Sequence, residues 1–332
     1  MRWIEWDEEK LLRLRRISEM MPLGEQLLKL ATENKVVIGN ESYLYSNNPE
    51  RFDRIISMNA WIEYPEQAVA GMKWISSKAS NTAMGWPRGG AVTVLNNAVN
   101  GFPIIAYDGA PISLARTAMV NCLALTRLFD GGGPDSVAFI GAGQINSWQA
   151  DYINQLWPSC KFFVFDLDDD RSRVFSSKWD AEILDTWEDA KEVDVIGLAT
   201  AGPTAVGWIS WKTEIRKSQV WLHTSLRDMQ PRLEQQFGLV VVDDHVLATS
   251  EGTTHSFAWR ENWVKKEISL ADLVVGGYEP EVSDYPVLVS PMGLAMWDIG
   301  IGYKLFKEEF AEENAEMFGF TGDVILQAQR RK

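Results

Sequence analysis

The chain has 332 residues, 46% of them hydrophobic, more than one core usually organises, so two domains are expected. A formal net charge of −14 argues against nucleic acid or an anionic membrane as partner, because the overall field repels phosphate, while leaving room for a small anion in a local basic pocket. Cys122 and Cys160 are the only cysteines, too few for a disulfide framework or a thiolate metal cluster, and they fit a reducing, cytoplasmic setting.

The opening MRWIEWDEEKLLRLRR lacks the apolar core of a signal peptide, and no later run reaches the roughly 18 apolar residues of a membrane helix, so a soluble protein with no membrane partner is expected. The charge clusters at 166–173 and 307–313 are short and read as solvated faces. Residues 1–118 read as α+β: a capped helical segment, then AVTVLNN, the Asn100-Gly101 turn signal and FPIIAYDG, which suggest antiparallel strands. A helix over 117–129 is broken by Gly131-Gly132-Gly133-Pro134, the expected hinge into a second domain. From Ser136 onward, β-branched apolar runs alternate with helical stretches, the pattern of a parallel sheet covered by helices. Strands are expected at 137–140, 162–165, 193–199, 220–224 and 239–242. A helix over 144–156, closed by Trp157-Pro158, completes a βαβ unit, and 299–318 reads as a terminal helix.

VAFIGAGQIN runs from a strand into Gly141 and Gly143, a G-x-G-x-x-G pattern in which Asn146 replaces the third glycine. Gly141 permits the tight turn, Gly143 lets backbone approach a pyrophosphate, and Gln144, Ile145 and Asn146 open the helix whose N-terminus would hold it. Asp166 stands 25 positions after Gly141, at the end of FFVFD. A carboxylate there accepts hydrogen bonds from adenosine ribose and repels a 2′-phosphate, which favours NAD over NADP. The plainer alternative is an α/β domain whose glycines only make a turn.

With this loop, RIISM (54–58), GMKWISS (71–77), NTAMGWPR (81–88) and ISLARTA (112–118) resemble the ornithine cyclodeaminase/mu-crystallin family. KWISS, the PR after GW, LHTSLRDMQP (222–231), VVDDHV and SPMGLAMWDIGIG (290–302) look most like the branch that forms 2,3-diaminopropionate. That resemblance implies an α/β chain: an α+β substrate-binding and dimerisation domain over 1–118, a Rossmann-type NAD-binding domain over 119–298, and a C-terminal helix over 299–332 returning to the first domain. It further implies a homodimer and oxidative hydrolysis of N-(2-amino-2-carboxyethyl)-L-glutamate to 2,3-diaminopropionate and 2-oxoglutarate.

The resemblance carries substrate-binding roles onto Arg54, Lys73 and Arg116 and an acid/base role onto Asp228. Arginine suits a carboxylate-rich amino-acid substrate because its planar fork pairs bidentately. Arg88, in the branch-like GWPR, is a further carboxylate candidate, with a structural ion pair as the alternative. Lys73 lies within the apolar MKWIS, where burial without a task is costly; it is a carboxylate ligand, a residue that orients water, or a lysine snorkelling to the surface. Arg116 is a candidate for substrate carboxylate or cofactor phosphate. Asp228 follows the expected strand WLHTS at the carboxyl edge where doubly wound folds place ligands; an ion pair with Arg227 is its structural alternative. The wider family has glycines ahead of this aspartate, whereas this chain has Ser225-Leu226-Arg227, which disfavours cyclisation.

His223, His245 and His255 show no compact ligand spacing, so no metal is expected, and His255 is a minor pocket candidate. No GxSxG or Cys-His nucleophile motif occurs. The 15 tryptophans read as core and interface material. The competing functions are ornithine or lysine cyclodeamination, reduction of a cyclic imine, and non-catalytic NAD(H) binding.

Overall fold

The computed structural model describes residues 1–47, 54–78, 81, 84–130, 132–200, 207–250 and 252–310. In chain order they form β1 (Arg2–Ile4), α1 (Glu8–Arg15), α2 (Ile17–Thr32), β2 (Val36–Ile38), β3 (Ser42–Tyr45), β4 (Arg54–Glu63), β5 (Ala68–Ser77), β6 (Gly89–Asn97), β7 (Pro103–Asp108) and α3 (Gly109–Leu128). Then follow β8 (Ser136–Ile140), α4 (Gln144–Leu156), β9 (Lys161–Phe165), α5 (Asp169–Trp179), β10 (Glu182–Ile183), β11 (Val195–Leu198), β12 (Val220–His223) and β13 (Leu239–Val242). The last are α6 (His245–Ser250), α7 (Thr254–Arg260), β14 (Glu267–Ser269), α8 (Leu270–Val274), β15 (Val287–Val289) and α9 (Ala295–Glu309). Among the described residues no helix is long and apolar enough to cross a membrane.

Unit 1 comprises Met1–Leu11, Glu33–Ser113 and the chain from Ala295. Its sheet runs β1-β7-β6-β5-β4-β2, with β3 on β4; β1 lies parallel to β7 and the other pairs are antiparallel. The hairpin expected around Asn100-Gly101 is β6–β7: Asn97 Oδ1 accepts the Val99 and Asn100 amides, and Gly101 turns at φ +77°. Helix α9 covers one face. A β-carbon at Gly71 would lie 2.5 Å from the Val94 carbonyl oxygen and 3.0 Å from Ile299, so only glycine admits the helix this close to β5. The expected terminal helix is thus found four residues earlier, at Ala295; its end at 311–318 lies outside the described residues.

Unit 2 comprises Leu12–Thr32 and Leu114–Leu294. Eight parallel strands run β10-β9-β8-β11-β12-β15-β13-β14, a Rossmann-type sheet. Residues from β8, β11, β12, β13 and β15, including Ile140, Leu198, Trp221, Val242 and Leu288, form its apolar core. The five expected strands are present, while β10, β14 and β15 were not anticipated: at two or three residues each they carry no readable period.

Two expected boundaries move. Residues 12–32 do not belong with the rest of 1–118, because α2 is an amphipathic helix whose buried face packs on α3: a β-carbon on Gly24 would meet Leu123 Cδ1 at 2.7 Å. Helix α3 starts at Gly109 instead of 117, since Asp108 Oδ1 accepts the Ala110 amide and Pro111 is tolerated in a first turn. The second unit accordingly begins at Leu114 and ends at Leu294, not at 119 and 298.

Candidate active site

The glycine turn of unit 2 leaves β8 at Gly141, where φ is +97° and an added β-carbon would lie 2.6 Å from the Ala199 carbonyl oxygen, so a side chain is excluded. Gly143 is the N-cap of α4, with no side-chain cap, and a β-carbon there would meet nothing within 4 Å. As first-turn groups of an α-helix, the amides of Gln144, Ile145 and Asn146 have no acceptor within the helix. The Asn146 side chain is spent inward. It is fully buried, its Nδ2 reaching the carbonyls of Gly141 (2.6 Å), Ile140 (3.2 Å) and Gly197 (3.3 Å), while Oδ1 accepts from Gln149. In place of a third glycine, it binds the turn to β8 and β11. Asp166 follows β9 and accepts the Ala142 amide at 2.7 Å and the Asp168 amide at 3.0 Å, which orients its carboxylate beside the turn. This open cradle, uncapped helix and oriented acid fit a dinucleotide.

Asp228 lies on the loop after β12 and is 1% exposed. Its Oδ1 accepts from Thr200 Oγ1 and from Trp208 Nε1 at 3.0 Å. Its Oδ2 is buried with no hydrogen-bond partner among the described residues. A carboxylate clamped at one oxygen and unsatisfied at the other is suited to take a proton. Arg227 Nε instead donates to the Gly252 carbonyl at 2.8 Å.

Arg116 sits in α3 with its guanidinium against the loop after β15: a β-carbon on Gly293 (φ +90°) would fall 2.2 Å from Nη1. Asp243, after β13, accepts the amides of Met292 (2.8 Å) and Gly293 (2.6 Å) and so fixes that loop. Burial raises the Asp243 carboxyl to about 6, even though these two amides and the charge of Arg116 pull it down. Asn121, also on α3, donates to Gln149 Oε1 (2.8 Å) and Thr224 Oγ1 (3.0 Å), tying α3 and α4 to the start of the Asp228 loop.

In unit 1, Lys73 is fully buried on β5 and donates to Asp298 Oδ2 of α9 at 2.7 Å, with Asp298 equally buried. It does not snorkel. The register pairs Lys73 with Met58 and Arg54 with Ser77, which places Arg54 on the same face as Met58 at the first position of β4, with its guanidinium 5.9 Å from the Tyr43 ring. Ser77 pairs in turn with Gly89, so Arg88, exposed and immediately before β6, stands at that same end of the sheet.

His255 lies elsewhere, buried with Nδ1 2.9 Å from Glu234 Oε2 and Nε2 2.8 Å from Glu267 Oε2. Burial alone would lower its basicity, but the two carboxylates override this and raise it to about 9, a structural ion triad. Among the described residues no cluster of three or more His, Cys, Asp or Glu side chains is arranged to hold a metal ion. Asn121, His223, Asp243 and Asp298 escaped the sequence reading. For Asn121 and Asp298 the available signal was a polar residue inside an apolar helical stretch.

A parallel sheet with this glycine turn and acid defines a Rossmann-type dinucleotide-binding protein with a second, α+β unit. The chain belongs to the ornithine cyclodeaminase/mu-crystallin family, whose model matches residues 25–206. It is 29% identical to N-((2S)-2-amino-2-carboxyethyl)-L-glutamate dehydrogenase of Staphylococcus aureus (strain NCTC 8325 / PS 47) over 268 residues, 77% of this chain and 79% of that one. It is 24% identical over 265 residues to the nodulation efficiency protein NfeD of Rhizobium meliloti, covering 77% of this chain and 80% of that one. Among solved structures it is similar to Thermococcus litoralis Δ1-pyrroline-2-carboxylate reductase in complex with NADH and L-proline, with a TM-score of 0.80, 20% identity, and coverage of 95% and 98% of the two chains.

Proposed function

We propose that the protein is an NAD-dependent oxidoreductase acting on the CH–NH bond of an amino-acid secondary amine, N-(2-amino-2-carboxyethyl)-L-glutamate, which it converts with water to 2,3-diaminopropionate and 2-oxoglutarate. The observation that carries this reading is the buried Asp228 carboxylate, unsatisfied at Oδ2, on the same carboxyl edge of the parallel sheet as the glycine turn. The substrate identity draws support from the similarity to the S. aureus dehydrogenase.

Bound NAD supplies the hydride acceptor. Gly143 and the first turn of α4 would hold its pyrophosphate and Asp166 its adenosine ribose. Asp228 Oδ2 accepts a proton from the secondary ammonium, so that the nitrogen is neutral as the C–H bond breaks; once that proton has passed to solvent, Oδ2 takes one from the water that attacks the resulting iminium carbon and returns it to the departing amine nitrogen. The cations put forward for the substrate carboxylates are Arg54, Lys73, Arg88 and Arg116. Lys73, held by Asp298, is put forward both as a carboxylate ligand and as the second catalytic residue, one that orients the attacking water.

Incubation of the purified protein with NAD and the candidate amine should give NADH absorbance together with both products. A cyclic imino acid and ammonia from ornithine or lysine with no net NADH would instead identify a cyclodeaminase, NADH with a cyclic imine from a cyclic imino acid a reductase working in reverse, and NAD binding without turnover of any amine a ligand-binding protein. A homodimer belongs to the same proposal, supported by Val37, Leu44 and Trp74, 61%, 59% and 43% exposed on the sheet face opposite α9. Light scattering giving 37.5 kDa in solution would refute it. A cytoplasmic location is supported by the low cysteine count.

A further inference from the structure

We propose that His223 is a positioning residue for Asp228: its Nε2 accepts the Asp228 amide and fixes the carboxylate with Oδ2 left free of donors. This rests on the reading of Asp228 as the proton acceptor.

His223 is the last residue of β12 and is completely buried. The chain leaves the strand, reverses and presents Asp228 five residues later. That reversal passes through Leu226 at φ +66°, a left-handed conformation a leucine adopts only under outside constraint. Part of the constraint is backbone pairing: Thr224 N donates to Leu198 O at 3.0 Å and Thr254 N to Leu226 O at 2.9 Å. Neither of these two bonds reaches Asp228, whose carbonyl accepts the Ile209 amide at 2.8 Å while its amide is left to another acceptor. The amide of Asp228 donates to His223 Nε2 at 3.2 Å, so the imidazole closes the loop on the residue that matters.

The ring's protonation follows from that bond. With Nε2 accepting, a neutral imidazole must carry its hydrogen on Nδ1. Burial pushes the basicity of His223 down to about 4, the charge of Asp228 notwithstanding, so the ring stays neutral in ordinary buffers. Nε2 also lies 3.9 Å from Asp228 Oδ2. An N–H at Nε2 would point at that oxygen and orphan the Asp228 amide. A lone pair there keeps the bond from the amide and leaves Oδ2 buried without a donor.

The test combines spectroscopy with two substitutions. In ¹⁵N-labelled full-length protein, the His223 ring should show the Nδ1–H tautomer at neutral pH, a measurement that needs no variant. In His223→Leu the Asp228 amide should exchange with solvent about tenfold faster or more, the loss of one buried hydrogen bond. In His223→Gln, whose side-chain oxygen can take the place of Nε2, it should exchange near the wild-type rate. With the glutamate adduct as substrate, kcat should fall about 10²-fold in His223→Leu with KM and NAD affinity within about twofold, because a small misplacement of the base slows chemistry without weakening binding. His223→Gln should recover most of that loss. An Nε2–H ring, an Asp228 amide indifferent to His223→Leu, or equal slowing in both variants overturns the proposal. Should the wild type oxidise no amine, the proposed function falls, while the tautomer and amide exchange still decide whether His223 holds Asp228.

Discussion

The amide of Ala142 donates to Asp166 Oδ2 across 2.7 Å, so the glycine turn and the acid that ends β9 form one unit. Asp166→Ser removes both this tie and the negative charge that repels a 2′-phosphate. NAD affinity should fall about tenfold, the cost of one charge-assisted hydrogen bond, and the preference for NAD over NADP should narrow. Titration of both cofactors by tryptophan fluorescence checks this; an unchanged ratio of dissociation constants would sink the assignment.

Asp228→Asn preserves an acceptor for Thr200 and Trp208 at Oδ1 but puts an NH₂ where Oδ2 was. Fold and NAD affinity should survive, while turnover drops by about 10²–10⁴. Steady-state kinetics alongside equilibrium NAD binding separates the two, and near-normal kcat would refute the role of base.

Gly293→Ala should imitate the loss of Arg116. The new methyl would stand 2.2 Å from Nη1 at a backbone φ of +90°, so either the guanidinium or the loop must shift. Carboxylate or phosphate binding should weaken in both Gly293→Ala and Arg116→Ala, by about 2–5 kcal/mol in the latter if the contact is buried. Calorimetric titration of the products and of NADH into each variant provides the comparison; tight binding by Gly293→Ala would show that the guanidinium is not held in place by this contact.

Lys73 and Asp298 should behave as a unit. Breaking this buried ion pair from either side should destabilise the fold by about 3–5 kcal/mol, whereas Lys73→Met with Asp298→Leu should recover much of that loss. Urea denaturation of the two single variants and the double variant yields the coupling. Additive losses would mean that the pair contributes nothing as a pair.

His255 predicts a pH dependence. Its folded-state value, about 9, lies above the ordinary 6.5, so its stabilisation is fully present below pH 6.5 and is lost as pH rises through 9. Thermal unfolding between those limits should show a falling Tm in the wild type and a flatter one in His255→Gln. Parallel slopes would remove the triad from the account.

The chain order of strands and helices in unit 2 was legible because each element is local. The run 137–140, the glycine turn and helix 144–156 follow one another, and their periods change where the structure changes. Asp166 could be singled out because it closes an apolar run, and Asp228 through the family resemblance together with its place after a strand of a parallel sheet, which presents such residues at one edge. The strand–helix alternation and the glycine pattern pointed to the α/β class, and Asp166 favoured NAD.

What the sequence left undecided is what each polar side chain touches. Nothing local says that Lys73 spends its charge on Asp298, 225 positions away, or that Asp243 and Gly293, 50 apart, meet beside Arg116. Asn146 and His223 read in the sequence as a broken motif and a strand residue. Only the packed sheet turns the first into the brace between β8 and β11 and the second into the acceptor for the Asp228 amide. A side chain's chemistry is intrinsic, but its partner is fixed by burial, which forces each polar group to satisfy itself with whatever the topology brings within 3 Å or so.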